Sequence, residues 1–444
     1  MPSIGILMAP AADIAGMVVA GLSLVERQAR LLRRAGCVPL LLVDAEPLTP
    51  VPDGVELISR HALAGRLADS GADMAIVMSA GLLLDERAIK AVQAMVGSVL
   101  LVSDGRLVPA PGVERLDAVT LSAGLAQVPV RKLAEVARGI GDWDLGSTLL
   151  RVMAADAEVA RLPLETLDAY APDRRREVPL LWALPKDAQA ARDAGHFIIS
   201  QAQKGCLDWP ARWLHPPVED MLVRILAPST ITPNMITIFA AMLGVLAGWA
   251  LATGHLWWGL AMALLCGPLD GVDGKLARAR IEFSRWGDLE HALDKLLEYG
   301  WYLCAAWWFS RSGEGGLAWA VAALIILPAF AEAVQGEFYR RMTGSQLDDA
   351  GPFERRVRLV AGRRNTFLWS WLPLAAMGLW FQGFLMIAVY SVLTTAVAQW
   401  RFYTRLAEFA RKGDARVAAN YAATRYDFLP VAKPESERLP KARL

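Results

Sequence analysis

From about residue 230 the sequence becomes a succession of apolar stretches, each close to the roughly 20 residues a helix needs to cross a hydrocarbon core of about 30 Å. Six are apparent, at about 235–253, 256–278, 288–310, 316–339, 365–382 and 384–405. This series restricts the C-terminal half to an all-α membrane bundle. Its connections set an orientation. The 279–287 loop carries Arg280 and Arg285, and the 340–364 loop carries Arg340, Arg341, Arg355, Arg356, Arg358, Arg363 and Arg364. Arg401, Arg405, Arg411 and Lys412 mark the end of the last stretch and the tail after it. The alternate connections at Thr253–His255, Ser310–Gly316 and Trp380–Gly383 hold at most one basic residue each. By the positive-inside rule, both ends of a six-span bundle face the cytoplasm. The expected location is the inner, cytoplasmic membrane.

The overall net charge of +1 averages two unlike halves and identifies no partner. The 55% hydrophobic content and 16 Trp come with a first half that still mixes apolar and charged residues as soluble domains do. Cys37, Cys206, Cys266 and Cys304 show no CxxC or Cys/His clustering, which argues against a disulfide framework and a structural zinc site. The N-terminal run is apolar but has no basic region ahead of it and contains Asp13, so it reads as a buried strand and loop. Nucleic acid is not an expected partner.

Residues 1–165 alternate strand-like and helix-like segments: Ile4–Met8, Leu24–Ala35, Pro39–Val43, Met74–Met78, Arg87–Val96 and Val99–Val102. Short β-rich runs followed by amphipathic helices read as a doubly wound α/β sheet. A bridge over 166–207 leads to 208–229, where aromatics, leucines and charges interleave at helical spacing, as in a juxtamembrane helix lying in the interface. Thr232-Pro233-Asn234 then caps the first span. The bundle occupies 230–412, and 413–444 is a cytoplasmic tail.

The chemistry concentrates where the second and third spans meet the cytoplasm. Asp270 and Asp273, at i and i+3, share a helix face that Gly274 and Ala277 continue with almost no side chain. Two carboxylates supply hard oxygen ligands for Mg²⁺ or Mn²⁺, and the small residues let a nucleotide approach the backbone. Glu290 and Asp294, at i and i+4 on the next helix, complete the set from the other side. Carboxylates at i and i+3 on a soluble helix are usually a solvated face. At the ends of membrane spans, ionisable groups are costly and mark function. Glu332, inside the fourth span, is an intramembrane acid open to two readings, helix packing or a lipid-facing cleft.

The stretch from Asp270 resembles the CDP-alcohol phosphatidyltransferase signature D-x2-D-G-x2-A-R-x8-G-x3-D-x3-D. Asp270, Asp273, Gly274, Ala277, Arg278 and Gly287 fall at its spacing. Strict counting then puts His291 and Lys295 at the last two acidic positions, whereas removing one residue brings Glu290 and Asp294 into register. The second alignment is adopted, with Glu in place of the third Asp. The resemblance implies two metal ions on Asp270, Asp273, Glu290 and Asp294. Asp294 would also be the general base. It implies CDP contacts from Asn234, Gly274, Ala277, Arg278 and Ser284. It further implies an anionic acceptor held by Arg358, Arg363 or Arg364. The implied reaction passes a phosphoalcohol or phosphatidyl group from a CDP-alcohol donor to an acceptor hydroxyl, with membrane lipids as partners and a homodimer as the assembly.

Gly21–Arg27 with Arg33–Cys37 resembles sugar-nucleotidyltransferases, and the bridge resembles the fused inositol-phosphate cytidylyltransferase and di-inositol-phosphate-phosphate synthase family. Yet the first loop reads Ala9-Pro10-Ala11-Ala12-Asp13-Ile14-Ala15-Gly16, with no GxG and no basic residue before Arg27. A triphosphate needs backbone N–H groups and positive charge. The N-terminal domain is therefore expected to be non-catalytic. Two rival readings are a catalytically inactive membrane scaffold and a transporter. The bundle shows no internal repeat, and the acids lie near its ends and not at its midplane, both of which count against transport.

Overall fold

The computed structural model describes residues 3–108, 113–205, 207–283, 287–344 and 346–412, with 287–291, 349 and 412 described by backbone alone. Seven strands form the N-terminal sheet: β1 (Ser3–Met8), β2 (Cys37–Val43), β3 (Val55–Ile58), β4 (Met74–Met78), β5 (Val99–Ser103), β6 (Leu121–Pro129) and β7 (Ala160–Pro163). Their spatial order is β7-β5-β6-β4-β1-β2-β3. The order reverses between β1 and β4, as a doubly wound sheet requires. Side chains alternate across it: Ile4 and Ile6 enter one core, Leu7 the other.

The sheet is not wholly parallel, because β6 runs antiparallel to both β4 and β5. Its sequence, Leu-Ser-Ala-Gly-Leu-Ala-Gln-Val-Pro, is poor in β-branched residues, so propensity gave no strand signal there. Burial on both faces supplies the stability instead.

Helix α1 (Leu24–Arg34) packs on the sheet, starting at Ser23, whose hydroxyl accepts from the Glu26 N–H at 3.2 Å. The bridge holds α2 (Ala188–Gln201), and α3 (His215–Leu226) follows a short π turn at Pro210–Leu214. Leu214, Val218, Met221 and Ile225 are exposed along one side of this segment, while His215, Glu219 and Val223 are buried on the other.

Among the described residues six longer helices follow: α4 (Pro233–Ala252), α5 (Leu256–Arg280), α6 (Gly287–Phe309), α7 (Gly315–Thr343), α9 (Arg364–Ala376) and α10 (Trp380–Lys412), with the short α8 (Pro352–Val360) before α9. Among the described residues, three helical stretches are long and apolar enough to cross a membrane: Pro233–Ala252, Ala292–Thr343 and Trp380–Arg411. The second contains a break between α6 and α7, where Gly313 and Gly315 take φ of 120° and 54°. Helix α5 carries the charged Asp270–Arg280 turns, and α9 has only 13 residues.

The fifth apolar stretch does not run to residue 382 as expected. Helix α9 stops at Ala376, because Gly378 (φ 78°) donates to Ala375 O at 2.9 Å and Leu379 donates to Leu374 O at 2.8 Å. These two bonds form a Schellman cap, and the connection is Met377–Leu379. Glu332 on α7 accepts from Thr395 Oγ1 on α10 at 2.5 Å, and Gln335 and Gln399 pair beside it. Packing of two helices accounts for this acid.

Candidate active site

Helix α5 brings Asp270 and Asp273 to one face, and close neighbours fix that helix. A side chain at Gly271 would run into Glu219 of α3, and one at Gly267 would come within 2.8 Å of both His215 and Asn365. Glycine at these positions lets α3 lie directly against α5. Lys275, 1% exposed, then reaches Glu219 at 2.9 Å and Asp220 at 2.6 Å. Burial pushes the His215 imidazole down to about 4, so it is neutral at physiological pH.

Asp270, Asp273 and Asp294 line one cleft with Thr237, Trp301 and Arg364. Asp273 is 3% exposed, and its Oδ2 accepts from Thr237 Oγ1 at 2.7 Å. Asp270 and Asp294 are more open, and both face Arg364. The guanidinium donates from Nη2 to Asp270 Oδ2 at 2.8 Å and lies 3.2 Å from Asp294 Oδ1 through Nη1. Arg364, one of the three arginines expected to offer an acceptor contact, stands between two of the carboxylates.

Among the described residues, no group of three or more His, Cys, Asp or Glu is drawn tightly enough to hold an ion. Glu290 and Ser284 lie outside the described side chains. The donor set still fits a divalent metal. Two carboxylates already bracket a single positive charge, a third lines the same cleft, and all offer hard oxygens.

Arg278 sits one turn beyond Asp273. Its Nη1 lies 3.2 Å from where a side chain at Gly274 would begin, and its Nε donates to Ala202 O at the end of α2 at 2.7 Å. Ala277 is half-buried beside it. Asn234 is exposed in the first turn of α4, after the Thr232 cap, and does not line the cleft.

The other two arginines part from Arg364. Arg358 Nε and Arg363 Nη2 converge on Asp348 Oδ2 at 3.2 and 3.4 Å, with Arg175 Nη2 at 3.9 Å from the same oxygen. Arg358 also lies 3.7 Å from Asp208, which accepts from Asn365. Burial works against the Asp348 charge, but Arg363, Arg358 and Arg175 overcome it and hold that carboxyl below its ordinary range. Thr237, Asp348 and Arg175 were not singled out from sequence. Thr237 follows Asn234 by three residues and had a helical-face signal. Arg175 and Asp348 had none, because their partners are distant in the chain.

Residues 230–400 match the family profile described as CDP-alcohol phosphatidyltransferase. Over these residues the C-terminal region is similar to that family. The chain is 30% identical over 145 residues to a phosphatidylinositol phosphate synthase of Mycobacteroides abscessus, covering 32% of this chain and 65% of that protein. It is 39% identical over 101 residues to the inner membrane protein YnjF of Escherichia coli, covering 21% and 49%. It is 23% identical over 223 residues to the bifunctional IPC transferase and DIPP synthase of Aquifex aeolicus, covering 49% of each. The chain thus spans between about half and two thirds of the length of these relatives. The inositol-1-phosphate CTP transferase from T. maritima superposes at a TM-score of 0.33 with 11% identity, over 43% of this chain and 91% of that one. So loose a superposition carries no argument about activity. Asp270, Asp273 and Asp294, which share the cleft described above, all lie within the matched residues.

Proposed function

We propose that this protein transfers a phosphoalcohol or phosphatidyl group from a CDP-alcohol to an acceptor hydroxyl, releasing CMP. The observation that carries this is the convergence of Asp270, Asp273 and Asp294 on one cleft inside the transferase domain. Attack by the acceptor oxygen on the β-phosphorus forms the new phosphodiester bond and breaks the bond to CMP. Asp294 takes the acceptor proton, a role that suits a carboxylate within hydrogen-bond reach of an alcohol. Asp270, Asp273, Asp294 and Glu290 would hold divalent metal, which when bound supplies Lewis-acid neutralisation of the diphosphate charge. Thr237 fixes the Asp273 carboxylate, and Arg364 keeps Asp270 and Asp294 facing one another. Gly274 leaves room at the backbone, and Arg278, with Asn234, Ala277 and Ser284, belongs to the CDP side.

The acceptor we infer carries a phosphate. The relatives named as phosphatidylinositol phosphate synthases suggest a phosphorylated polyol, with CDP-diacylglycerol as donor. Arg358 and Arg363 offer the matching charge. The membrane helices would place this site at the cytoplasmic ends of six spans, as the basic loops require.

The N-terminal domain is read as non-catalytic. Such sheets bind ligands at the switch point, here between β1 and β4. Buried Gln28 donates to Ser79 O and Leu82 O at 2.9 Å each, and Ile14 packs over Gly81.

The test is CMP release by purified protein in detergent with Mg²⁺ or Mn²⁺, across CDP-alcohols and acceptors, beside Asp294→Asn. Metal-dependent release that the substitution abolishes supports the reading. Release that survives it moves the base elsewhere.

A further inference from the structure

Helix α1 meets the transferase domain through three arginines at i, i+3 and i+7. Arg27 is 3% exposed, and its Nη2 donates to Val19 O at 2.8 Å and to Ala279 O at 2.6 Å. Arg30 Nη1 donates to Arg280 O at 3.0 Å and to Glu282 Oε1 at 2.8 Å. The Arg34 guanidinium lies 3.7 Å from the centre of the Phe283 ring. One helix of the N-terminal domain therefore engages residues 279, 280, 282 and 283 in succession.

These residues end α5, the helix that carries Asp270 and Asp273. A helix C-terminus leaves four carbonyls without intrahelical partners, and their partial negative charge favours a cation. Here the cations come from another domain. Between them Ile281 turns left-handed (φ 54°), lets Glu282 N donate back to Ala277 O at 2.8 Å, and packs against the N-terminal core. On the far side, Arg280 donates to Ala227 O at 3.0 Å and Ile231 O at 2.7 Å. Any side chain at Gly21 would collide with the Ala227 carbonyl, so the turn before α1 lies flat on the end of α3. The last turn of α5 is held from both sides.

The segment fixed in this way leads into Ser284 and Gly287, and then into α6 with Asp294. We propose that α1 is a docking element through which the N-terminal domain sets the last turn of α5, where Ala277 and Arg278 stand, with Arg27 as a positioning residue for donor binding. This rests on the transfer reaction proposed above. It assigns the nucleotidyltransferase-like helix a use that needs no nucleotidyl chemistry.

The experiment uses the full chain in detergent, as wild type, Arg27→Gln, Arg27→Lys and the milder Phe283→Ala. Amide hydrogen exchange is followed over 277–290, together with KM for the CDP-alcohol, KM for the acceptor, and kcat. Arg27→Gln is expected to speed exchange there about tenfold, the loss expected for one charge-assisted hydrogen bond. KM for the donor should rise by a similar factor while KM for the acceptor stays within about twofold. Arg27→Lys should recover part of both effects. Phe283→Ala should shift them the same way to a smaller extent, which guards against a failure of Arg27→Gln to fold. Unchanged exchange overturns the proposal, and so does faster exchange with unchanged donor KM. Absence of CMP release by the wild type sinks the transfer reading alone, because exchange over 277–290 still tests the clamp.

Discussion

Arg364 Nη2 lies 2.8 Å from Asp270 Oδ2, so this helix α5 acid faces a cation 94 residues later in the chain. The same guanidinium touches Asp294, and without it the two carboxylates would face each other across the cleft. Arg364→Gln should therefore unfold at lower temperature than wild type in the presence of a chelator. It should also gain more from added Mg²⁺, since the ion then offsets repulsion that Arg364 otherwise neutralises. Thermal unfolding in detergent, with and without Mg²⁺, checks this. Equal Mg²⁺ responses in the two proteins would count against it.

Thr237 holds the buried Asp273. Thr237→Val keeps the shape and removes the donor, leaving a buried carboxylate short of one hydrogen bond. The expected loss is about 1.5–3 kcal/mol, shared between stability and transfer. Thr237→Ser should restore most of it. Urea unfolding and CMP-release rates of the two variants make the comparison.

Arg175 joins Arg358 and Arg363 at Asp348, although it lies in the bridge, outside the residues that match the family profile. Arg175→Gln should raise KM for a phosphorylated polyol by about five- to tenfold, on the scale of a weakened charged contact. Use of the same polyol without phosphate should barely change. Steady-state kinetics with the two acceptors distinguishes this from a general loss of structure.

Glu354 on α8 accepts from Arg401 Nε at 2.8 Å and from Arg405 Nε at 2.9 Å. Burial raises its pKa, but Arg405 and Arg401 outweigh that and hold the carboxyl at about 2. A carboxylate whose folded pKa lies below its unfolded one stabilises the protein above the unfolded pKa. That contribution fades as pH falls toward the folded value. Glu354→Gln should therefore be less stable than wild type at pH 7, by up to about 3 kcal/mol. The gap should close progressively between about pH 4.5 and pH 2. Denaturant titrations across that range measure it.

Much of the architecture was legible because it follows local periodicity. The short apolar run Ile4–Met8 marked β1, and the amphipathic pattern of Leu24–Ala35 marked α1. The i, i+3 acids Asp270 and Asp273 announced the site before any coordinates. Strand β6 was missed because small residues buried on both faces carry neither signal. The end of α9 was misplaced because Trp380–Gly383 looks like the turn, whereas Gly378 in the left-handed conformation makes it.

By itself the sequence determined that the chain is a two-part molecule, an α/β sheet followed by apolar helices, with acids at signature spacing where two of those helices meet. These are properties of neighbours in the chain, governed by side-chain period, turn residues and helix length. Only the tertiary structure decided which charge faces which. It set Arg364 between Asp270 and Asp294, gathered Arg175, Arg358 and Arg363 at Asp348, and brought Arg27 to Ala279. The physical reason is that a long cation selects its partner by burial and distance. Both are set by how whole elements pack, and Arg27 and Ala279 lie 252 residues apart.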